Sequence, residues 1–313
     1  MKKLSVCMLA HNTEKFIDKA VESVLAQKTN FEIELVIAED KSTDNTKQKA
    51  LYYKEKYPDL VKLILNQKNL GLSGNYIVAL KNCSAEYVAI LDSDDYWTDP
   101  YKLQKQVDFL EANKDYGVVY SDCDVIDHEG NAVDWQEMYH LREQYSSGYV
   151  FFKLLKETAF VPNLTGCFRK ELIADALENE DLWFFEDWWL WMRASIKTKF
   201  HFMDERTAHY RLHPQNITKT RIENKEKLRA YTKKAYAIYN SNIEYFEKYN
   251  KNKLSAEEKE LISRRMMMLL NRNYLPLKRK LKLLIIFIKY FPGIKSFTSL
   301  LTRKMKSGTP VAA

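Results

Sequence analysis

The sequence predicts an α/β fold: a parallel sheet with crossover helices, followed by a helical, basic C-terminal extension. Three observations predict it. From residue 2 to about residue 121, short apolar runs alternate with amphipathic stretches of helical length. Polar residues gather directly behind the apolar runs, as His11-Asn12, Glu39-Asp40 and Asp92-Ser93-Asp94-Asp95. Beyond Glu260 there is no further Asp or Glu, and the remaining charge is basic.

Residues 4–10 form the first strand. In 15–27, Phe16, Ala20, Val24 and Ala26 recur at helical spacing. Residues 34–38 read as a strand, and 46–57 as a helix ended by Pro58. A strand at 61–65, a helix at 74–83 and a strand at 87–91 follow. Strands separated by helices of this length imply a parallel sheet. Ligands of such sheets bind outside the carboxyl ends of the strands, so the three polar clusters are expected to share one crevice. From 122 to about 221 the pattern is less regular, with a loop around Ser146-Ser147-Gly148 and an aromatic patch over 183–191. Helical periodicity returns beyond 221. The expected division is 1–121, 122–221 and 222–313, without an internal repeat.

A chain of 313 residues with 46% hydrophobic content, 8 Gly and 7 Pro buries a core, which excludes disordered, collagen-like and low-complexity classes. The longest apolar run, 283–288, is far short of the roughly 20 residues of a membrane-spanning helix. Lys2-Lys3 before 4–10 faintly imitates a signal peptide, but the run is short and leads straight into His11-Asn12-Thr13-Glu14. A buried first strand explains it better. Cys7, Cys83, Cys123 and Cys167 show no metal-binding spacing, so reduced thiols in a cytosolic protein are expected.

The net charge of +7 hides an asymmetry. Twelve of the 49 Lys and Arg lie between Arg264 and Lys306, leaving 37 against all 42 acidic residues in the first 260, a net of −5. An acidic body carries a basic tail, which predicts contact with a polyanion. Leu281, Leu284, Ile285 and Ile288 fall at helical spacing beside Lys278, Lys282 and Lys289. This predicts a basic amphipathic helix at an anionic membrane surface, or one docked on the body with a solvated face. No nucleic-acid module accompanies the charge, so nucleic acid is not an expected partner.

Residues 90–97 place Asp92, Asp94 and Asp95 at the end of an apolar strand. Clustered carboxylates repel unless a cation offsets them. Mg²⁺ or Mn²⁺ binds one or two carboxylates together with phosphate oxygens; a solvated acidic turn is the plainer alternative. Asp40 at the end of the second strand is harder to explain as a helix cap than Asp44 or Ser42.

These motifs together resemble the family 2 glycosyltransferases of the GT-A fold, from residue 4 to about 218. The matching residues are His11-Asn12, Ser23-Val24-Leu25-Ala26-Gln27, Glu39-Asp40, Ser42-Thr43-Asp44, Asn69-Leu70-Gly71 and Asp92-Ser93-Asp94-Asp95. Farther on, Glu186-Asp187 and Tyr210-Arg211-Leu212-His213 match the Glu-Asp and Tyr-Arg-x-His segments. The resemblance implies an inverting transfer from a nucleotide-sugar, expected to be UDP-linked, to a saccharide or lipid-linked saccharide in surface-polysaccharide assembly. The enzyme would work at the cytoplasmic face of the membrane. Ala10, Asn12, Asp40, Asn69, Gly71, Asp92, Ser93 and Arg211 would bind the donor. Asp92, Asp94 and His213 would ligate Mn²⁺ or Mg²⁺, and Asp187 would be the catalytic base. Thr165, Gly166 and Glu186 would face the acceptor. Two departures stand out: His11 replaces a Tyr, and Gly74-Asn75 stands where many members have Arg-Asn. Among residues 183–189 burial is expected to raise the Asp187 carboxyl. The residues also leave open a cap role for Glu186 and Asp187, a plain strand-edge turn at Thr165-Gly166, and a purely structural His213. No GxSxG elbow, Walker A sequence or GxGxxG follows a strand, which disfavours hydrolase, phosphate-loop and dinucleotide classes. The competing class is a degenerate relative that only binds nucleotide-sugar or membrane.

Overall fold

A strand covered on both faces reads as an unbroken apolar run, and β1 (Leu4–Ala10) is buried at every position. In the computed structural model, which describes residues 2–156, 160–177, 187–214, 216, 241–249, 254–255 and 257–262, β1 pairs in parallel with β2 (Ile33–Glu39) and β4 (Tyr87–Ile90). Strand β3 (Val61–Leu65) extends the sheet beyond β2. The crossovers are α1 (Ile17–Leu25), α2 (Thr46–Lys56) and α3 (Gly71–Asn82). Ala10 pairs with Glu39 and Glu39 with Leu65, so three strands end level. Past β4 the backbone stays in register, with Leu91 N donating to Cys7 O and Ser93 N to Leu9 O, both at 3.1 Å.

The second half is more ordered than its sequence pattern suggests. After β5 (Tyr96–Trp97) and α4 (Lys102–Ala112) comes the long β6 (Tyr116–Ile126). Then follow α5 (Gln136–Arg142), α6 (Phe151–Lys156), β7 (Cys167–Arg169), α7 (Ala174–Leu177), α8 (Asp187–Ser195) and β8 (Lys199–Arg211). The eight strands among the described residues form one mixed sheet in the order β3-β2-β1-β4-β7-β6-β8-β5. Strand β7 is antiparallel to β4 and β6, whereas β6 and β8 run parallel. Position 121/122 falls inside β6, so the donor-side and acceptor-side halves expected from sequence share a strand. By contact the chain divides into units Met1–Ile238 and Tyr239–Ala313. The described residues 241–249 and 257–262 of the second are helical. The basic tail and the 221/222 boundary lie outside the described residues.

The core explains two shifts from the expected helices. Helix α1 buries Ile17, Ala20, Val21 and Val24. The Ile and Val side chains each contribute about 1.5–3 kcal/mol over exposure. Phe16 precedes the helix, and its ring instead meets His213 at 5.1 Å between centroids. Helix α3 starts at Gly71 and not near residue 74, for a reason found in the site below. All four cysteines are buried free thiols.

One buried charge stands apart. Lys102 on α4 is fully buried, its ammonium 4.4 Å from the centroid of the Trp97 ring and 2.8 Å from Gln106 Oε1. Burial lowers its pKa from 10.5 to about 7. The folded state therefore binds fewer protons than the unfolded chain between pH 7 and 10.5. Stability from this group is greatest above pH 10.5 and is lost as pH falls to 7. Lys102→Met should accordingly be more stable than the parent at pH 7, and its advantage should shrink steadily toward pH 10. Urea unfolding of both proteins across that range checks this; a pH-independent difference would mean that Lys102 does not titrate there.

Candidate active site

The site is built where β1, β2 and β4 end. Asp40, just past β2, is buried, and its N–H donates to Ala10 O at 2.9 Å. Asp40 Oδ1 accepts from Asn66 Nδ2 (2.9 Å) and Leu70 N (2.8 Å), and Oδ2 accepts from Gly71 N (2.9 Å). An anionic acceptor at a helix N-terminus satisfies orphan amides and meets the positive end of the dipole. That is why α3 begins early. Gly71 has a φ of +70°, a region glycine enters without strain. Asn69 Oδ1 also accepts from Gly71 N at 2.8 Å.

The loops after β1 and β2 are stitched together. Asn12, with φ of 53°, donates its N–H to Ser42 Oγ (3.0 Å), and its Oδ1 accepts from Thr43 N (2.8 Å). Thr13 N donates to Thr46 Oγ1 (2.8 Å), while Asp44 accepts from Glu14 N (3.1 Å) and Thr46 N (2.9 Å). Asp44 thus serves the start of α2. His11 Nδ1 donates to Asp40 O at 2.9 Å, which leaves Nε2 to accept from the amides of Asn12 (3.2 Å) and Asn69 (3.3 Å). His11 is exposed above this floor.

Beyond β4, Ser93 is buried against Thr13, hydroxyl to hydroxyl at 2.7 Å. Asp94 is part-exposed, and its Oδ2 lies 3.0 Å from His213 Nε2. Asp95 is buried and accepts the Arg211 N–H at 2.8 Å through Oδ1. The Arg211 guanidinium lies 4.8 Å from the Phe16 ring centroid and donates to the carbonyls of Asp94 (3.0 Å), Asp127 (3.1 Å) and His128 (3.4 Å). Asp92 Oδ1 is sealed from solvent and has no hydrogen-bond partner. Burial raises the Asp92 carboxyl to about 7, helped by the charges of Asp94 and Asp187, with the Asn163 side chain opposing. Asp95 is likewise pushed well above the carboxylate range by burial and by Asp94. Asp187 opens α8, its Oδ1 accepting from Trp188 N at 2.7 Å.

Residues 5–173, more than half of the chain, match the family model described as Glycosyl transferase family 2. The chain belongs to this family. An uncharacterized protein of Mycobacterium tuberculosis (strain H37Rv) is 30% identical over 214 residues, 68% of this chain and 60% of that protein. The chain therefore spans less than two thirds of the length of that relative. The Escherichia coli enzyme UDP-Glc:alpha-D-GlcNAc-diphosphoundecaprenol beta-1,3-glucosyltransferase is 33% identical over 125 residues, 40% of this chain and 47% of that enzyme. Two solved structures share the fold. Staphylococcus aureus TarS 1–349 in complex with UDP has a TM-score of 0.58 at 19% identity, over 93% of this chain and 81% of that one. A mannosyltransferase of Pyrobaculum calidifontis in complex with GDP-Man and Mn²⁺ has a TM-score of 0.54 at 15% identity, over 98% and 81%. The glycosyltransferase GT-A architecture expected from sequence is the one observed.

For a family 2 member, the sequence-flagged residues Ala10, Asn12, Asp40, Asn69, Gly71, Asp92, Ser93, Asp94, Arg211 and His213 all lie at or just past these strand ends or the end of β8. Asp187 is close enough for its charge to act on Asp92. Glu186 and the aromatic residues 183–185 lie outside the described residues. Thr165 is fully buried, its hydroxyl donating to Ser121 O (2.9 Å) or Pro162 O (2.8 Å) and accepting from Ser121 N (3.2 Å). Gly166 packs under Trp191, whose ring would lie 2.5 Å from an added Cβ. Both hold the turn rather than present polar atoms. Sequence reasoning did not single out Asn66 or Tyr76; it placed Phe16 on a helix face and named Asn75 only as the neighbour of Gly74. Asn66 was findable, since it follows β3 as Asp40 follows β2. Asn75, at the family's Arg-Asn position, donates to Ala38 O and accepts from Asn66 at 2.9 Å each, tying α3 to the end of β2.

A hard divalent cation fits this donor set only as an open site. Among the described residues no three His, Cys, Asp or Glu side chains are placed to hold a metal ion by themselves. The Asp94–His213 pair, with the Asp92 carboxyl close enough to feel the Asp94 charge, would supply the few protein ligands such a cation needs when phosphate oxygens complete its shell. Asp40→Ala should speed amide exchange at Leu70 and Gly71 at least about tenfold and cost roughly 1.5–3 kcal/mol of stability, as for lost bonds to a charged acceptor. Site-resolved hydrogen exchange checks it; unchanged protection at both amides would show that other bonds hold the loop.

Proposed function

We propose that this chain is an inverting glycosyltransferase that moves a sugar from a nucleoside diphosphate, UDP foremost, to a hydroxyl of a saccharide or lipid-linked saccharide acceptor. The observation that carries this is the convergence of the Asp40 floor, the Asp92–Asp94–His213 group and Asp187 on one side of the sheet's strand ends. Residues 1–121 supply the donor side, 122–221 the acceptor and catalytic side, and 222–313 an extension. A relative named for UDP-Glc and a diphosphoundecaprenol-linked acceptor, and a fold neighbour bound to UDP, support the donor and acceptor classes.

His11, Asn12, Asp40, Asn69 and Gly71 bind the nucleoside, and Ala10 and Ser93 keep the strand ends level beneath it. Asp92, Asp94 and His213 would hold Mn²⁺ or Mg²⁺, which when bound would supply Lewis-acid stabilisation of the charge on a diphosphate. Arg211 keeps a fixed positive charge beside that space. Asp187 accepts the proton of the acceptor hydroxyl as its oxygen bonds to the anomeric carbon. The sugar–phosphate bond breaks on the opposite face, and the diphosphate leaves with the electron pair. Thr165 and Gly166 serve the acceptor side through the turn they hold, with Glu186 beside Asp187 in sequence.

Turnover across a nucleotide-sugar panel, with and without Mn²⁺, tests the proposal. One donor should turn over in a metal-dependent way, and Asp94→Ala should lose that dependence. Asp187→Asn should keep donor affinity while transfer falls by about 10²–10⁴-fold, the usual worth of a general base. The product's anomeric proton coupling should report inversion. No turnover of any donor would leave a protein that only binds nucleotide-sugar.

The basic tail supports peripheral contact with an anionic membrane at the cytoplasmic face. No helix among the described residues is long and apolar enough to cross a membrane. Deleting 277–313 should abolish flotation with anionic liposomes while turnover on a soluble acceptor persists. Equal flotation of both proteins would assign the tail to packing on the body.

A further inference from the structure

Backbone donors fix the orientation of two side-chain amides in the floor of the site. Thr43 N donates to Asn12 Oδ1 and Gly71 N donates to Asn69 Oδ1, at 2.8 Å each. Each carboxamide has its oxygen engaged by a group that can only donate, so each turns its NH₂ the other way. Both NH₂ groups meet one atom, His11 Nε2, at 3.2 Å from Asn12 and 3.3 Å from Asn69. His11 Nδ1 lies 2.9 Å from Asp40 O, which can only accept. The tautomer follows from these partners: Nδ1 carries the proton, and the Nε2 lone pair faces two N–H donors.

The backbone beside these bonds is held against its preference. Asn12 follows His11 and Lys41 follows Asp40, and they are the only non-glycine positions with positive φ among the described residues, at 53° and 59°. Lys has no side-chain acceptor that favours this conformation, so the surrounding bonds enforce it. One ring thereby joins the loops that follow β1, β2 and β3. The acids on these loops are already engaged. Asp40 accepts from Asn66, Leu70 and Gly71, and Asp44 from Glu14 and Thr46. Glu14 accepts from Asn45, and Glu39 from Ser42. Lys15, Lys41 and Lys68 are exposed cations.

We propose that His11 is a positioning residue whose neutral imidazole presets the Asn12 and Asn69 amides for a nucleoside, and whose protonation releases them, so that acid weakens nucleoside binding. A second proton on the ring goes to Nε2, where two N–H donors already point. Neither amide can flip to receive it without withdrawing its oxygen from Thr43 N or Gly71 N. The ring is exposed, so its charged form turns into solvent and leaves both amides. The nucleoside rests on the glycosyltransferase proposal above; the proton-sensitive lock does not. A tyrosine at this position would have no proton to gain between pH 5 and 8.

The probe is uridine, which has no phosphate and so reports the floor without a cation. Its affinity is measured by NMR titration at pH 8 and pH 5.5 for the parent, His11→Gln and His11→Ala, and the imidazole ¹⁵N shifts are recorded on the parent. An imidazole ordinarily gains its second proton near pH 6.5, between the two conditions. Asp92, raised to about 7, titrates in the same window, but the variants keep it and the comparison cancels it. Parent affinity should fall about tenfold from pH 8 to pH 5.5, the worth of one or two neutral hydrogen bonds. Both variants should bind more weakly than the parent at pH 8 and should lose this pH dependence. A parent affinity that stays level, or variants that fall as steeply, would overturn the proposal. So would a His11 ring that carries its proton on Nε2 at pH 8. Suppose the parent binds no uridine, yet Nδ1 carries the proton and the Asn12 and Asn69 NH₂ resonances move as the ring gains charge. Then the nucleoside reading fails and the lock stands. His11→Gln, close in size and neutral throughout, keeps the test available should His11→Ala fail to fold.

Discussion

Three carboxylates crowd the end of one buried strand, and much of the second half of the molecule is arranged around that excess charge. Asp92, Asp94 and Asp95 follow β4 within four residues, and burial drives Asp92 and Asp95 toward their protonated forms. What limits the cost is polar contact brought from elsewhere: Arg211 N onto Asp95 and His213 onto Asp94. Each comes from the later part of the chain. The parallel half therefore carries the acids, and the mixed half carries the groups that make them tolerable in a folded protein.

On the other side of the strand ends the carboxylates have a different task. Asp40 and Asp44 spend their lone pairs on backbone amides of the 66–71 loop and of the starts of α2 and α3. They are satisfied acceptors, while Asp92 retains one oxygen without a partner in a sealed position. This contrast separates acids that build the floor from acids with capacity to spare. It matches the chemistry expected of a site that needs a rigid surface for a nucleoside next to unspent charge for its phosphates.

The parallel strands were legible because burial on both faces writes itself as an apolar run, and their polar successors were legible because strand ends face the crevice. Strands β5, β7 and β8 were not. β5 has two residues and β7 three, too short for a period to show. β8 mixes buried and exposed positions irregularly, and its pairing with β6 shifts register between Ser121 and Asp122 and again before Asp124. For Thr165 the residues left two readings open, a ligand-facing group and a strand-edge turn, and three bonds to neighbouring backbone bury its hydroxyl. Asn163, two positions earlier, has the same polar look, and its side chain meets the phenol of the buried Tyr76. Nothing in spacing distinguishes them; only the direction in which the turn is clamped does.

The 116 positions between Asp95 and the Arg211 amide it accepts bear on biosynthesis. A ribosome adding roughly 10 residues per second leaves the acidic end of β4 without that partner for about 10 s. During this interval the first four strands can pair among themselves, but the edge of β4 awaits β7, about 80 residues downstream. Such distant pairings slow folding, since loop closure precedes their stabilisation. The nascent chain thus carries an open sheet edge flanked by repelling carboxylates, and that negative charge is itself a guard against pairing with a second chain. The same acids proposed to bind a donor in the finished protein would then keep the unfinished one from aggregating.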